Sequence, residues 1–219
     1  LDDVYITLPE ILRDHNYTTG AVISAFVLDS RFGLDQGFDK YDDDFDDPAD
    51  LAGMLERRGA EVTDHAVKWL EQHHDEKGFL FLHYFDPHMN YDPPAPWGPR
   101  FVDRPYLGEI AYTDYHIGKV VEKLKQLGIY DSSLIIVAGD HGEMLGEHGE
   151  ESHGYYIYSG AIKVPLIFKL PGRRKAVQIE EPVSLIDIVR TVCNLTGVEA
   201  PSAVQGEDLG SFFRGGKTI

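Results

Sequence analysis

The chain has 219 residues, 42% of them hydrophobic and 26% charged, with a formal net charge of −17 at pH 7. That composition is globular and not disordered, and the acidic balance argues against a general nucleic-acid binder or a basic membrane-surface protein. A single cysteine, Cys193, excludes an internal disulfide framework and a zinc site of cysteines alone, and no apolar run approaches the ~18 residues of a membrane span. The length suits one domain over residues 1–219, or one plus an appendage.

In chain order, Thr7–Asn16 is predicted to be a helix: Thr7 and Glu10 have capping-box spacing and Pro9 suits a first turn. Ala21–Val27 (AVISAFV) is an apolar run of strand length. The segment YDDDFDDPAD, with six aspartates from Asp42 to Asp50, reads as a solvated loop, because a calcium loop would need ordered ligand spacing and a turn glycine. Thr63–His74 is a predicted helix with Ala66, Trp69 and Leu70 on one face, and Phe79–Phe85 (FLFLHYF) a predicted strand. Glu109–Leu127 is the clearest helix: Ile117, Val120, Val121, Leu124 and Leu127 repeat at helical spacing and Gly128 fits the position after the last turn. A turn at Asp131–Ser133 leads into the strand Leu134–Ala138 (LIIVA). Ile162–Leu170 is a further strand candidate, with Pro165 placing it at an edge or bend. Val183–Leu195 reads as a strand end running into a helix that Gly197 stops, with Cys193 as a buried structural thiol. Helices alternating with continuous apolar strands predict an α/β protein with a mostly parallel sheet. Such sheets bind ligands beyond the carboxyl ends of their strands.

That rule directs attention to Gly139-Asp140-His141-Gly142-Glu143, directly after LIIVA. A carboxylate and an imidazole between two glycines stand at a sheet edge with backbone space beside them, and both are metal-ligand types; a plain polar turn is the alternative. His88 lies in Asp86-Pro87-His88, after FLFLHYF, in a loop stiffened by prolines. His153 precedes the IKVPLIF strand. A lone loop histidine is usually inert, but three groups at corresponding strand ends weaken that reading. His15, His65, His73, His74 and His116 are expected on the surface, Asp114 in a structural role and Lys163 in a surface ion pair. Glu143, Glu147 and His148 are expected to be exposed polar residues, with ligand orientation as the alternative.

The run GDHGEMLGEHGEESHGYYIYSGAIKVPLIFKLPG is similar to the C-terminal half of the sulfatase family, within the alkaline-phosphatase-like superfamily. FLFLHYFDPHMNYDPP resembles the family's segment ending in Asp-Pro-His, and TLPEILRDHNYTTGAVIS with GLDQGFDKYDD resembles the segment after its nucleophile region. EIAYTDYHIGKVVEKLKQLGIYDSSLIIVAGDHGE resembles its helix, turn and metal strand in order, and PVSLIDIVRTVCNLTGVEAPSAVQGEDL its following helix and Gly-x-x-Leu ending. The resemblance covers nearly the whole chain. It implies an α/β sandwich around a mostly parallel mixed sheet, truncated at the N-terminus, that hydrolyses sulfate or phosphate-type esters. It gives Asp140 and His141 the role of metal ligands, and His88 and His153 the catalytic and substrate-binding role of donors to the ester anion or its leaving oxygen.

The sequence departs from the family in two places. The Cys/Ser-x-Pro-x-Arg nucleophile motif is absent, and so is the Asp-Asp metal pair of the first strand; Leu1 resembles a point past both. The expectation is a partial catalytic domain whose nucleophile and remaining metal ligands come from a preceding segment, inactive by itself; the alternative is a degenerate relative. The implied cofactor is a divalent cation, calcium first, with manganese or zinc as alternatives. The implied partner is a sulfate ester, with a phosphoester or phosphonate, or a non-catalytic binding role, as alternatives. No nucleic acid and no membrane segment in this chain are expected, self-association could follow from an incomplete sheet, and the resemblance leaves an extracytoplasmic location open.

Overall fold

The capping box at Thr7 closes as expected. In a computed structural model that describes residues 4–45, 56–173, 175–215 and 217–218, the Thr7 hydroxyl accepts the Glu10 N–H at 3.4 Å and the Glu10 carboxylate accepts the Thr7 N–H at 2.8 Å. Three of the six aspartates of YDDDFDDPAD (Asp46, Asp47 and Asp50) and Leu1 lie outside the described residues. The chain divides into two units, the first ending at Tyr130 and the second starting at Asp131.

In the first unit, α1 (Leu8–Arg13) leads to β1 (Thr18–Val22), β2 (Lys40–Asp42), α2 (Gly59–His73), β3 (Gly78–Leu82), the short α3 (Trp97–Arg100) and the long α4 (Pro105–Gln126). The three strands form a parallel sheet in the order β2-β1-β3, with Gly20 opposite both Lys40 and Leu80. β1 is central and buried on both faces, so its residues do not alternate. That is why the apolar run misplaces it. The strand begins at Thr18, and Phe26–Leu28, overlapping the end of the predicted strand, is a 3-10 turn. Thr19 is buried because its hydroxyl and N–H both bond to Asp39. Trp69 of α2 lies directly on β1, where a Cβ at Gly20 would come within 2.4 Å of the indole. Both long helices begin before their predicted starts, α2 at Gly59 and α4 at Pro105. α2 packs on α4, and the Ala60 N–H at the head of α2 donates to the Tyr112 hydroxyl at 2.8 Å. His116, expected at the surface, is 3% exposed; its ring lies among Trp97, Tyr112 and Tyr115.

In the second unit, β4 (Ile135–Ala138) is followed by a single helical turn α5 (Ser159–Ile162), β5 (Leu166–Lys169), β6 (Val177–Gln178), α6 (Asp187–Thr196), α7 (Gly210–Gly215) and β7 (Lys217–Thr218). β4 and β5 pair antiparallel, Ala138 opposite Leu166, and β6 pairs antiparallel with β7. The parallel arrangement expected of the strands therefore holds for the first unit, while both pairs of the second are antiparallel. The predicted strand Ile162–Leu170 is shortened to Leu166–Lys169: Ile162 closes a helical turn, and strand pairing starts beyond Pro165, whose carbonyl accepts the Gly139 N–H at 3.1 Å. No strand forms at residues 183–186; instead the Asp187 carboxylate accepts the N–H groups of Ser184 and Glu207 at 2.7 and 2.8 Å and fixes the start of α6. Gly197 ends that helix in the left-handed conformation, and Cys193 is a buried free thiol, both as expected. Among the described residues no helix is long and apolar enough to cross a membrane.

Candidate functional site

In the second unit the β4 strand delivers Asp140 and His141 to its carboxyl end. Gly142 then runs so close to α5 that a Cβ there would stand 2.0 Å from the Gly160 carbonyl oxygen, and its N–H donates to the Ala161 carbonyl at 2.7 Å. No side chain fits at position 142, which is the physical content of the glycine after Asp-His. The His141 ring is oriented by its own backbone: Nδ1 lies 2.9 Å from the Gly142 carbonyl, so Nδ1 carries the proton and Nε2 the lone pair. Nε2 stands 3.7 Å from Asp140 Oδ2, while Asp140 Oδ1 accepts the His141 N–H at 2.9 Å.

The donor set, one imidazole nitrogen with its second nitrogen bonded to a carbonyl and one carboxylate oxygen, fits a divalent cation. Both atoms can reach one ion, since metal–ligand distances run from about 2.0 to 2.6 Å. Both side chains are open to solvent, Asp140 at 78% and His141 at 44%. Among the described residues no group of three or more metal-ligand side chains comes together, so these residues offer two candidate ligands where zinc takes about four and calcium about six to eight.

His153 joins this pair. Its ring packs on that of His141 with centroids 3.9 Å apart, and its Nδ1 lies 3.1 Å from Glu143 Oε1. Glu143, expected to be an exposed polar residue, instead has a side chain only 6% exposed, with its carboxylate at His153 Nδ1. Glu147 is exposed as expected and accepts the Leu145 N–H at 2.7 Å; His148, also exposed, stacks on Tyr158. The structure therefore brings together Asp140, His141 and His153.

His88 belongs to the first unit, in the loop that leaves the carboxyl end of β3. Its ring stacks on Phe85 at 4.1 Å, and its Nδ1 is 2.8 Å from the Met89 carbonyl. It borders a cleft of about 150 Å³ lined also by Arg57, Arg58, Asp86 and Glu109. Glu109, on α4, is 2% exposed and accepts two loop amides, the His88 N–H at 3.2 Å and the Asp92 N–H at 2.8 Å. Burial raises the Glu109 carboxyl above the ordinary glutamate value, aided by the neighbouring Asp86 charge and opposed by the two amides and Arg58. The Arg58 guanidinium donates to Asp86 at 3.0 Å and lies 3.6 Å from both Glu109 and Asp92. Sequence reasoning missed Glu109 and Arg58. A signal existed: Glu109 falls three and seven residues before the buried Tyr112 and His116, a charged residue on a buried helical stripe.

The family model described as Sulfatase matches residues 3–198. The steryl-sulfatase of Rattus norvegicus is 29% identical over 177 residues, covering 74% of this chain and 30% of that protein. The N-acetylglucosamine-6-O-sulfatase of Bacteroides thetaiotaomicron is 33% identical over 114 residues, 52% of this chain and 20% of that protein. Among solved structures, the phosphonate monoester hydrolase of Agrobacterium radiobacter is similar with a TM-score of 0.79 at 18% identity, over 99% of this chain and 63% of that one. At that identity the likeness is one of fold: the α/β fold of alkaline-phosphatase-like hydrolases. The matches span only 30% and 20% of the two curated relatives.

Proposed function

This chain belongs to the sulfatase family, and from that membership we propose that it supplies part of the active site of a metal-dependent sulfate-ester hydrolase. In this reading Asp140 and His141 hold a divalent cation, calcium first among the candidates, and His88 and His153 donate to the ester anion or to its leaving oxygen. The nucleophile and the remaining metal ligands lie outside this sequence, in a segment of the intact protein. The observation that carries the reading is the Asp140–His141 pair: Oδ2 and Nε2 stand 3.7 Å apart while Nδ1 is committed to the Gly142 carbonyl. A bound cation would polarise the ester oxygens and offset the charge that builds up on them.

The protein's own residues do the rest. The Gly142 carbonyl fixes the tautomer of His141, so that its lone pair points outward. Glu143 fixes the plane of His153 against the His141 ring, so that the imidazole stands next to the metal pair rather than turning freely. His88 is kept in place by its stack on Phe85 and by the loop amides bonded to Glu109.

A second reading, a phosphonate or phosphoester hydrolase with the same residues, is favoured by the fold likeness to the phosphonate monoester hydrolase. One assay separates the two. The intact protein is given an aryl sulfate and an aryl phosphonate of the same leaving group. Faster turnover of the sulfate, lost in His153→Ala, supports the first reading; a preference for the phosphonate replaces it with the second; and no turnover of either ester refutes both.

A further inference from the structure

We propose that Glu109 is the positioning residue for His88: its buried carboxylate clamps both ends of the loop that carries the imidazole. Oε2 accepts the N–H of His88 and Oε1 that of Asp92, so one side chain closes the five-residue segment 88–92. The same helix, α4, pins the approach to that segment, since the Thr113 hydroxyl donates to the Asp86 carbonyl at 2.9 Å. From α2, the Gly59 N–H and the Arg58 guanidinium donate to the Asp86 carboxylate at 3.1 and 3.0 Å.

The need for such a clamp follows from the loop's composition. Pro87, Pro93 and Pro94 have no N–H to offer, and none of residues 83–94 belongs to a strand or helix. Loop amides turned toward the protein interior must still be paired. A carboxylate 2% exposed is costly unless it is hydrogen-bonded and neutralised. Glu109 meets both conditions through the two amides and through Arg58 at 3.6 Å. An acceptor without charge would pair the amides equally well in a purely structural loop. The ionic version with its own counter-ion gives stronger bonds, which matter where an imidazole must stand within about 0.5 Å of its working place.

The inference rests on the reading that His88 acts on the ester anion, and the test separates the two. In the intact protein, Glu109→Gln keeps shape and burial but turns one acceptor oxygen into an NH2 group facing an amide. The expected result is at least about 10-fold faster hydrogen exchange at the His88 or Asp92 amide, with exchange in α6 unchanged. Turnover of the aryl ester should fall about 10–100-fold in kcat with KM little changed. The double variant Glu109→Gln/His88→Ala should be no slower than His88→Ala alone. Losses that multiply in the double variant, or unchanged exchange at both amides, overturn the inference while leaving His88 in its role. Full turnover in His88→Ala overturns the reading of His88 itself, and the inference with it. If Glu109→Gln fails to fold, exchange in the native protein decides: His88 and Asp92 amides exchanging as fast as free-chain amides overturn the clamp, and slow exchange at both supports it.

Discussion

His88 and His153 are both loop histidines, yet one is positioned through its backbone and the other through its ring. The His88 loop is gripped at its amides by Glu109, and the imidazole stacks on Phe85 with its Nδ1 at the carbonyl of the next residue. His153 has its ring held directly, by the Glu143 carboxylate on Nδ1 and by the face of His141. The supporting carboxylates are buried in both regions, while the groups they serve are half-buried or exposed. Burial here is spent on the supporting carboxylates rather than on the groups that would meet substrate. In the second region it extends to a backbone contact, Gly142 against Gly160, that leaves no room for a side chain.

The comparison can be broken most forcefully at that contact. A Cβ at Gly142 would meet a backbone oxygen at 2.0 Å, and backbone cannot move aside cheaply. Gly142→Ala is expected to destabilise the protein by about 4 kcal/mol or more. In the first unit, the Cβ of Gly20→Ala would meet the Trp69 side chain, which can shift, so about 1–3 kcal/mol is expected. Denaturant unfolding of the two variants, side by side, reads the difference; equal costs would mean that the 142–160 approach is not as close as described.

Removing the ring support comes next. Glu143→Ala should lower ester turnover by about 10–100-fold, and Glu143→Gln, which retains an acceptor for Nδ1, should recover part of the loss. If Gln is as damaging as Ala, the charge of Glu143 matters rather than its hold on the ring.

The smallest effect concerns the buried imidazole of the first unit. Burial lowers the His116 pKa, with Lys119 acting in the same direction. The unfolded chain then binds the proton more readily than the folded one, so the contribution is fully present above the ordinary histidine value of about 6.5 and is lost as pH falls through the lower folded value. Thermal melts between about pH 7.5 and 5.5 should show stability falling with pH, and His116→Phe should flatten that slope. An unchanged slope would place the titrating group elsewhere.

What could be read in the sequence divides along physical lines. The α1 cap is local, made by residues three apart, and Thr7 and Glu10 announce it. The end of α6 at Gly197 is equally local. β1 was legible as a strand but not in its bounds, because a central parallel strand buried on both faces loses the alternation that marks an edge, and its Thr19 is satisfied by the distant Asp39. Asp140, His141 and His153 stood out because strand ends in α/β folds gather ligands, and the structure brings all three together. Glu109 and Arg58 did not stand out, and Glu143 read as an exposed polar residue, since a charged residue on a helix or loop reads as solvated until tertiary packing encloses it. The glutamates are buried only because loop amides or a ring nitrogen from elsewhere in the chain require an acceptor. His116 belongs with them: its aromatic surroundings come from α3 and from its own helix turning inward.

The measurement that goes most directly to the central claim is the turnover of an aryl sulfate by the intact protein carrying Asp140→Ala, beside Glu122→Gln, an exposed carboxylate change on the outside of α4. The protein is first stripped with a chelator and then given calcium back in steps. If Asp140 and His141 hold the cation, the unaltered protein and Glu122→Gln recover full turnover with calcium, while Asp140→Ala stays at least about 100-fold lower at every concentration that saturates the others. Turnover in Asp140→Ala that matches the unaltered protein and ignores the chelator would contradict the account.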